Sequence, residues 1–287
     1  MIDLHTHTTA SDGRCTPADL VVRAAAAGVT VLSITDHDTV GAAAEASAAC
    51  RAAGLEFVAG IEITAVYREV DVHVLGYFLD VQHAGLRTFL QEQRMRRVER
   101  LREIVGRLER FGIHLDADAL VQPAIDDPSK SAGRPWIARA LVNAGHVAST
   151  GMAFDKWLSR GQPAFVPRLA ATPEEVAARI HDADGVASLA HPGLLRRDEW
   201  IPVFTAAGLD ALEAYHSEHD ASATARYLEL ARRHALRVSG GSDFHGDPSH
   251  GPPQPGAVSL PRAAYDRLRQ PRAASAGGPF ETTRSAP

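Results

Sequence analysis

Short apolar runs alternate with amphipathic stretches of helical spacing over much of the 287-residue chain. The apolar runs have the length and the β-branched content of buried strands, and turn residues separate them from the helical stretches. Strands are predicted at residues 2–5, 30–35, 56–65, 70–79, 185–190, 210–215 and 236–241. Helices are predicted at residues 17–27, 41–53, 173–184, 198–207 and 220–235. Strands that alternate with helices are typical of parallel βα units.

Residues 84–160 break this alternation. A long charged helix is predicted at residues 86–111, and shorter helices are predicted at residues 134–144 and 152–159. No strand is predicted in this stretch, so we expect a helical insertion into an α/β barrel. The expected domains are a barrel formed by residues 1–83 and 161–260, the insertion at residues 84–160, and a C-terminal tail at residues 261–287. About the last 15 residues are rich in small and polar types and are expected to be weakly ordered.

Histidine and carboxylate residues follow almost every predicted strand. His5 and His7 stand two residues apart at the end of the first strand, so their side chains project from the same face. The ends of barrel strands meet at one rim, which is where enzymes of this architecture carry their active sites. The candidate metal ligands are His5, His7, Asp12, His37, Glu62, His73, His191, Asp243 and His245.

Six imidazoles and three carboxylates are too many donors for one ion and suit two or three divalent ions. A mixed nitrogen and oxygen set favours Mn²⁺, with Zn²⁺ or Fe²⁺ as alternatives, whereas Mg²⁺ and Ca²⁺ prefer oxygen. Several cations in one site attract an anion and activate water, as phosphoester hydrolysis requires. The residues expected to carry the catalytic step are His5, His7, Asp12, His37, Glu62, Asp243 and His245.

The remaining histidines and the acids beside His37 have simpler interpretations. Asp36 and Asp38 flank His37, and we expect them to orient it rather than to bind a metal. Five histidines lie in helices or loops outside the strand-end pattern and are interpreted as structural: His83, His114, His146, His181 and His234.

Composition narrows the partners and the compartment. The formal net charge is −5 and the isoelectric point is about 6.3, so duplex DNA is not an expected partner. Cys15 and Cys50 are the two cysteines, and their spacing fits neither a zinc ribbon nor a disulfide framework, which suits a reducing compartment. With no leader peptide and no apolar run of about 18 residues, we expect a cytoplasmic protein without a membrane partner. No protein partner is inferred.

The motifs D-L-H-x-H, S-D-G, T-D-H-D, G-x-E, H-V-L-G, A-H-P and G-S-D-F-H occur in this order within residues 1–80 and 185–246. In these motifs the chain resembles the PHP family of metal-dependent phosphoesterases, named for "polymerase and histidinol phosphatase". The resemblance implies a distorted (β/α)₇ barrel with a trinuclear site in which Glu62 bridges the first and second metals. It implies His5, His7 and Asp243 on the first metal, His73 and His191 on the second, and Asp12, His37 and His245 on the third.

The insertion resembles one branch of that family more than the others. Residues 133–139, 161–167 and 213–216 are similar to those of small bacterial phosphoesterases that act on nucleoside 3′,5′-bisphosphates and short RNA 5′ ends. The resemblance implies a small phosphorylated substrate, a nucleotide, whose phosphate monoester is hydrolysed by metal-activated water. Expected substrate contacts are Arg134, Trp136, Arg139 and His219. Trp136 stands where this branch is expected to have histidine, and Gln162 where it is expected to have lysine or arginine.

Three other functions remain open from the sequence. One is a histidinol-phosphate or other small-molecule phosphatase, which the insertion disfavours. Another is a non-catalytic, metal-binding regulatory module, which the complete ligand set disfavours. The third is an amide hydrolase of a related barrel, whose carboxylated lysine has no counterpart because the lysines are Lys130 and Lys156, both in the insertion.

Overall fold

Seven strands form one sheet whose spatial order follows the chain order. The computed structural model describes residues 1–247 and 251–271, so the weak order expected of the last residues lies outside the described ranges. The strands are β1 (Ile2–Asp3), β2 (Val31–Ile34), β3 (Glu56–Tyr67), β4 (Val70–Tyr77), β5 (Val186–Leu189), β6 (Ala211–Tyr215) and β7 (Arg237–Gly240).

The strands pair in parallel except for β4, which runs antiparallel to both β3 and β5. The expectation of parallel βα units throughout is therefore wrong at residues 70–79. Two residues, Arg68 and Glu69, join β3 to β4, and both have positive φ angles of 47° and 62°. A connection this short permits only an antiparallel hairpin, because a parallel crossover needs a dozen residues or more.

Hydrogen bonds between the chain after β1 and the chain after β7 close the sheet into a barrel. The amide of Asp243 donates to the carbonyl of His5 at 2.8 Å, and the amide of His7 donates to that of Phe244 at 2.9 Å. The buried carboxylate of Asp3 accepts from the amide and hydroxyl of Ser242 at 2.8 and 2.6 Å. The distorted (β/α)₇ barrel predicted from the sequence is confirmed.

The described residues form eleven α-helices with clear local causes. Thr172 and Glu175 make a capping box at the start of one helix, and Gly54 ends another at φ 74°. The helices are α1 (Pro17–Ala26), α2 (Ala43–Ala53), α3 (Ala84–Glu109), α4 (Ala117–Asp126), α5 (Arg134–Asn143), α6 (Thr150–Ala153), α7 (Pro173–Asp182), α8 (Pro192–Leu195), α9 (Ile201–Ala206), α10 (Ala221–Arg233) and α11 (Arg262–Leu268).

Several helical segments differ from the sequence prediction. Helix α4 was not predicted, because Pro123 within it is a residue that usually interrupts a helix. Helix α11 lies in the expected tail and packs Tyr265 and Leu268 into the core. The predicted helix at residues 152–159 is split between α6 and a π-helical turn at Phe154–Leu158.

The helices of residues 84–160 pack around a hydrophobic cluster of their own. Val98, Leu101 and Ile104 of α3 meet Ile137 and Leu141 of α5 there. The main barrel cluster lies elsewhere and joins β3 and β4 to helices α7, α9 and α10. Residues 84–160 therefore contribute a second core beside the barrel mouth. No helix in the described ranges has both the length and the apolar character needed to cross a bilayer.

Replacement of Asp3 tests the closure of the barrel. Asp3→Ala removes the acceptor of three buried backbone amides and one hydroxyl, so we expect a loss of about 3 kcal/mol in the free energy of unfolding. Urea denaturation of the EDTA-treated protein measures this without a metal contribution. The control is Asp182→Ala, which removes an exposed carboxylate paired with Arg179 and should change the value by less than about 0.5 kcal/mol. Equal stability of the two variants would contradict this account of closure.

Candidate metal centre

The structure brings all nine candidate ligands to the carboxyl rim of the barrel. They come from the segment after β1 (His5, His7, Asp12), the segment after β2 (His37), β3 (Glu62), β4 (His73), the segment after β5 (His191) and the segment after β7 (Asp243, His245). Backbone pairing fixes their positions along the barrel axis, because residues 37 and 62 form a parallel bridge and residues 6 and 244 form another.

A first set of donors surrounds one point in the barrel mouth. Glu62 Oε2 lies 3.3 Å from His5 Nε2 and 3.2 Å from His7 Nε2. Asp243 Oδ1 lies 3.2 Å from each of the same two nitrogens. Two imidazoles and two carboxylate oxygens therefore converge at this point.

The other oxygen of Glu62 belongs to a second set. Glu62 Oε1 lies 2.7 Å from His73 Nδ1 and 3.1 Å from His191 Nε2. Because its two oxygens face different groups of imidazoles, Glu62 connects the first set to the second. Glu62 is 1% exposed, and this connection is shielded from solvent.

A third set lies on the side of the insertion. Asp12 Oδ1 lies 3.4 Å from His245 Nε2, and Asp12 Oδ2 lies 3.6 Å from His37 Nε2. His7 Nδ1 approaches Asp12 Oδ1 at 3.7 Å, so His7 stands between the first and the third set. Donor atoms of His7, Asp12, His37 and His245 all lie within 4.8 Å of one another.

The three carboxylates and His37 have the protonation that cation binding needs, whereas His7 would lose a proton when it binds a cation. Burial alone would raise the pKa of the carboxyls of Asp12, Glu62 and Asp243, but the surrounding imidazoles hold all three pKa values well below the usual range. For His7, burial lowers the pKa, whereas Asp243 and Glu62 raise it to about 10. Burial holds the pKa of His37 well below its usual value, which favours the neutral, metal-binding form.

Orphaned nitrogens show that the residues fit metal ions. Both ring nitrogens of His7 and Nδ1 of His37 are buried and have no hydrogen-bond partner among the described residues. An unsatisfied buried polar atom costs about 1–3 kcal/mol, and a divalent cation between these nitrogens and the facing carboxylates would remove that cost.

Glu213, in the middle of β6, is a site residue that the sequence analysis missed. Its fully buried carboxylate accepts from His5 Nδ1 at 2.9 Å through Oε1 and from the amide of His191 at 2.6 Å through Oε2. The first bond leaves the lone pair of His5 Nε2 facing the first set. The second holds His191 in an unusual backbone conformation with φ 25°. The available signal was a carboxylate within a predicted strand.

His216 is a second residue that the sequence analysis did not assign to the site. Its Nδ1 accepts from the amide of Glu218 at 3.1 Å, so the neutral ring carries its proton on Nε2. Nε2 then donates to Asp243 Oδ2 at 3.3 Å. This bond fixes the Asp243 carboxylate with Oδ1 directed at the first set.

The carboxylates of Asp36 and Asp38 form hydrogen bonds with residues other than His37. Asp36 accepts from the amide and hydroxyl of Thr8 at 2.7 and 2.6 Å and from the Ser11 hydroxyl at 2.6 Å. Asp38 accepts from the Thr64 amide at 3.0 Å and pairs with a buried arginine of α3. The expectation that they orient the His37 ring is wrong. They shape the loop that carries Asp12 and attach the insertion to the barrel.

Helix α5 lies against the loop that carries Asp12. Trp136 Nε1 donates to the carbonyl of Ser11 at 2.8 Å, and Arg139 Nη1 donates to that of Asp12 at 3.1 Å. At the start of the helix, Arg134 Nη1 donates to a carbonyl of the insertion at 3.1 Å. The expected substrate contacts on α5 therefore also hold the insertion in place beside the third set.

The other expected substrate contact, His219, is held in the protein interior. His219 is 8% exposed, its Nδ1 donates to the carbonyl of Ala214 at 3.0 Å, and its Nε2 accepts from the amide of Gly193 at 3.1 Å. Its ring lies 5.3 Å from that of His216, so it supports the wall behind Asp243. Two of the histidines interpreted as structural also have internal partners, because His83 caps α3 and His181 bonds Asp210 at 2.8 Å.

Comparisons with known proteins identify the family to which the chain is similar. The PHP domain model matches residues 3–126. The chain is 37% identical over 252 residues to the 5′-3′ exoribonuclease Rnm of Salmonella typhimurium, covering 85% of this chain and 84% of that one. It is 36% identical over 251 residues to the 3′,5′-nucleoside bisphosphate phosphatase of Chromobacterium violaceum, covering 85% and 87%.

Solved structures are similar over almost the whole length. An amidohydrolase of Chromobacterium violaceum with bound sulfate and no metal superimposes with a TM-score of 0.83 at 33% identity, covering 93% of this chain and 95% of that one. A candidate metal-dependent phosphoesterase of Bifidobacterium adolescentis has the same TM-score and identity, with coverage of 93% and 94%. On these matches, the chain belongs to the PHP-domain family.

Proposed function

We propose that this protein is a metal-dependent phosphoesterase that hydrolyses a phosphate monoester of a small nucleotide. The substrate is a nucleoside 3′,5′-bisphosphate or the 5′ end of a short oligonucleotide. One observation carries the proposal: three donor sets lie side by side. The two oxygens of Glu62 connect the first set to the second, and the two nitrogens of His7 connect the first to the third. The names of the two curated relatives support the nucleotide class.

The proposed metal assignment follows the three sets. His5, His7 and Asp243 hold one ion, His73 and His191 hold a second, Glu62 bridges these two, and Asp12, His37 and His245 hold a third. Mn²⁺ suits this mixture best, with Zn²⁺ or Fe²⁺ as alternatives. When bound, such ions lower the pKa of a water and stabilise charge on the phosphoryl oxygens.

The protein positions these donors and binds the rest of the substrate. Glu213 and His216 hold His5 and Asp243 in the orientation that leaves their donor atoms facing inward. An open groove of about 500 Å³ runs between the Asp12 loop and the insertion and is lined in part by Lys130, Trp136 and Arg139. Cationic side chains beside an aromatic ring suit a nucleotide base and its second phosphate. We propose that residues 84–160 act as the substrate clamp.

A phosphate-release screen tests the proposal directly. The Mn²⁺-loaded protein is offered 3′-phosphoadenosine 5′-phosphate, a 5′-phosphorylated oligonucleotide, histidinol phosphate, sugar phosphates and p-nitrophenyl phosphate. Nucleotide substrates should give the highest kcat/KM. A preference for histidinol phosphate or a sugar phosphate would replace the nucleotide assignment, and no turnover of any ester would favour the regulatory module. The low cysteine content suits a cytoplasmic, reducing environment for such an enzyme.

Glu213→Gln should weaken metal binding. The amide keeps the size of the side chain but loses the charge that holds the His5 Nδ1 proton, and such outer partners are worth about 10–100-fold in affinity. Competition with a chromophoric chelator measures the affinity, and elemental analysis should find more than one ion per wild-type chain. Glu218→Gln, which alters an exposed side chain of the same segment, serves as the control. Unchanged affinity in Glu213→Gln would refute its role.

His7→Ala and Asp243→Ala should each lower turnover by at least about 100-fold, because each removes a proposed ligand of the water-activating ion. Phosphate release with saturating Mn²⁺ measures the effect, and circular dichroism checks that the fold is retained. Near-normal turnover of either variant would contradict the assignment of the first set.

Arg134→Ala should reduce kcat/KM for 3′-phosphoadenosine 5′-phosphate by about 10–100-fold and leave p-nitrophenyl phosphate almost unchanged. A charge-assisted hydrogen bond to the remote phosphate is worth about 1.5–3 kcal/mol. The control is Arg102→Ala. Arg102 lies in the same insertion, its side chain is 44% exposed, and it pairs with Asp118. Equal losses on both substrates would assign Arg134 to general support of α5 instead.

A further inference from the structure

A polar stripe on α3 faces the barrel where an apolar stripe would be expected. Gln93, Arg97 and Arg100 are spaced four and three residues apart, so they share one helix face. They are 3%, 5% and 7% exposed, although such side chains are rarely buried unless they are paired. The stripe lies at the junction between the insertion and the barrel.

The positive charge at this junction is incompletely matched. Arg97 pairs with Asp38, while Arg134 and Arg168 share Asp71 at 3.7 and 3.4 Å. Arg100 donates through Nε to the carbonyl of Val166 at 2.9 Å. Within the described ranges, its guanidinium forms no ion pair with a carboxylate.

The pKa values agree with an excess of cations. Burial lowers the pKa of Arg100, and the neighbouring guanidinium groups lower it further, to about 9. The pKa of Arg168 falls to about 10 for the same two reasons. A buried charge of one sign is costly unless a counter-charge lies nearby.

Two buried donors at this junction are left without an acceptor. Arg100 Nη2 and Gln93 Nε2 have no hydrogen-bond partner within the described part of the chain. Both residues line a cavity of about 10 Å³, together with Arg97, Arg168 and Thr64. A cavity of this size accommodates a single small ligand, such as a water molecule or a monatomic ion.

We propose that this cavity binds one monovalent anion of halide size, with chloride as the cellular ligand. An anion would accept from Gln93 Nε2 and Arg100 Nη2 and would offset the unmatched guanidinium charge. A water would satisfy the two donors but would bring no charge to offset the guanidinium groups. The bound anion fixes α3 against the barrel, and the site is independent of the metal ions and of the reaction proposed above.

Exchange of chloride for gluconate at constant ionic strength tests the site in the full-length protein. Chloride should raise the wild-type Tm saturably, by about 3 °C at ten times its Kd. Gln93→Leu and Arg100→Met should each abolish this rise. Gln93→Leu removes an unpartnered Nε2 and a single long hydrogen bond from the exposed Arg96 to Oε1, so the variant should remain folded even where Arg100→Met does not. Arg102→Met, an exposed change on the same helix, should keep the full effect.

A bromide soak of crystals of the wild-type protein gives a second readout. An anomalous peak in the cavity, absent from crystals of Gln93→Leu, would locate the anion. Equal Tm values in chloride and gluconate, or a cavity without anomalous signal, would mean that water alone occupies it and would overturn the proposal.

Discussion

One buried carboxylate, that of Glu62, determines how the rim of the barrel is arranged. Its two oxygens lie within 2.7–3.3 Å of nitrogens of five histidines. The carboxylates of Asp12, Glu213 and Asp243 each face some of these rings, whereas Glu62 faces all five. The backbone of Glu62 is fixed as well, because its amide donates to Asp36 and its carbonyl accepts from Asp38. Because this carboxylate is fixed, it orients the imidazole rings around it.

Around that carboxylate, a layer of residues that do not face the centre controls the side chains that do. Glu213 selects the proton position of His5, and His216 selects the free oxygen of Asp243. Glu213 lies in β6 and His216 directly follows it, and neither β6 nor the segment after it supplies any of the nine candidate ligands. In this arrangement β6 and the residue after it orient the candidate ligands, and the other strands and their following segments carry those ligands. This division explains the buried polar groups of Glu213 and His216.

The sequence predicted the site better than the connections that build it. Two-residue spacing placed His5 and His7 on one face, and position after an apolar run identified most of the other donors, because both signals are local. The predicted parallel direction of β4 was wrong, because the direction of this strand depends on the length of the turn after Tyr67. Helix α4 was hidden by Pro123. The partners of Glu213 lie 208 and 22 residues away, and no local pattern encodes such contacts.

The pairing of β1 with the end of β7 has a consequence for biosynthesis. His5 and His7 are translated well before Asp243, which faces them and lies 236 residues after His7. Chains fold from the N-terminus as they emerge, so the nascent polypeptide exposes an incomplete chelator for most of its synthesis. Ions captured at that stage would be held by fewer donors and would exchange readily. The first donor set is therefore complete only after Asp243 has been translated and the barrel has closed.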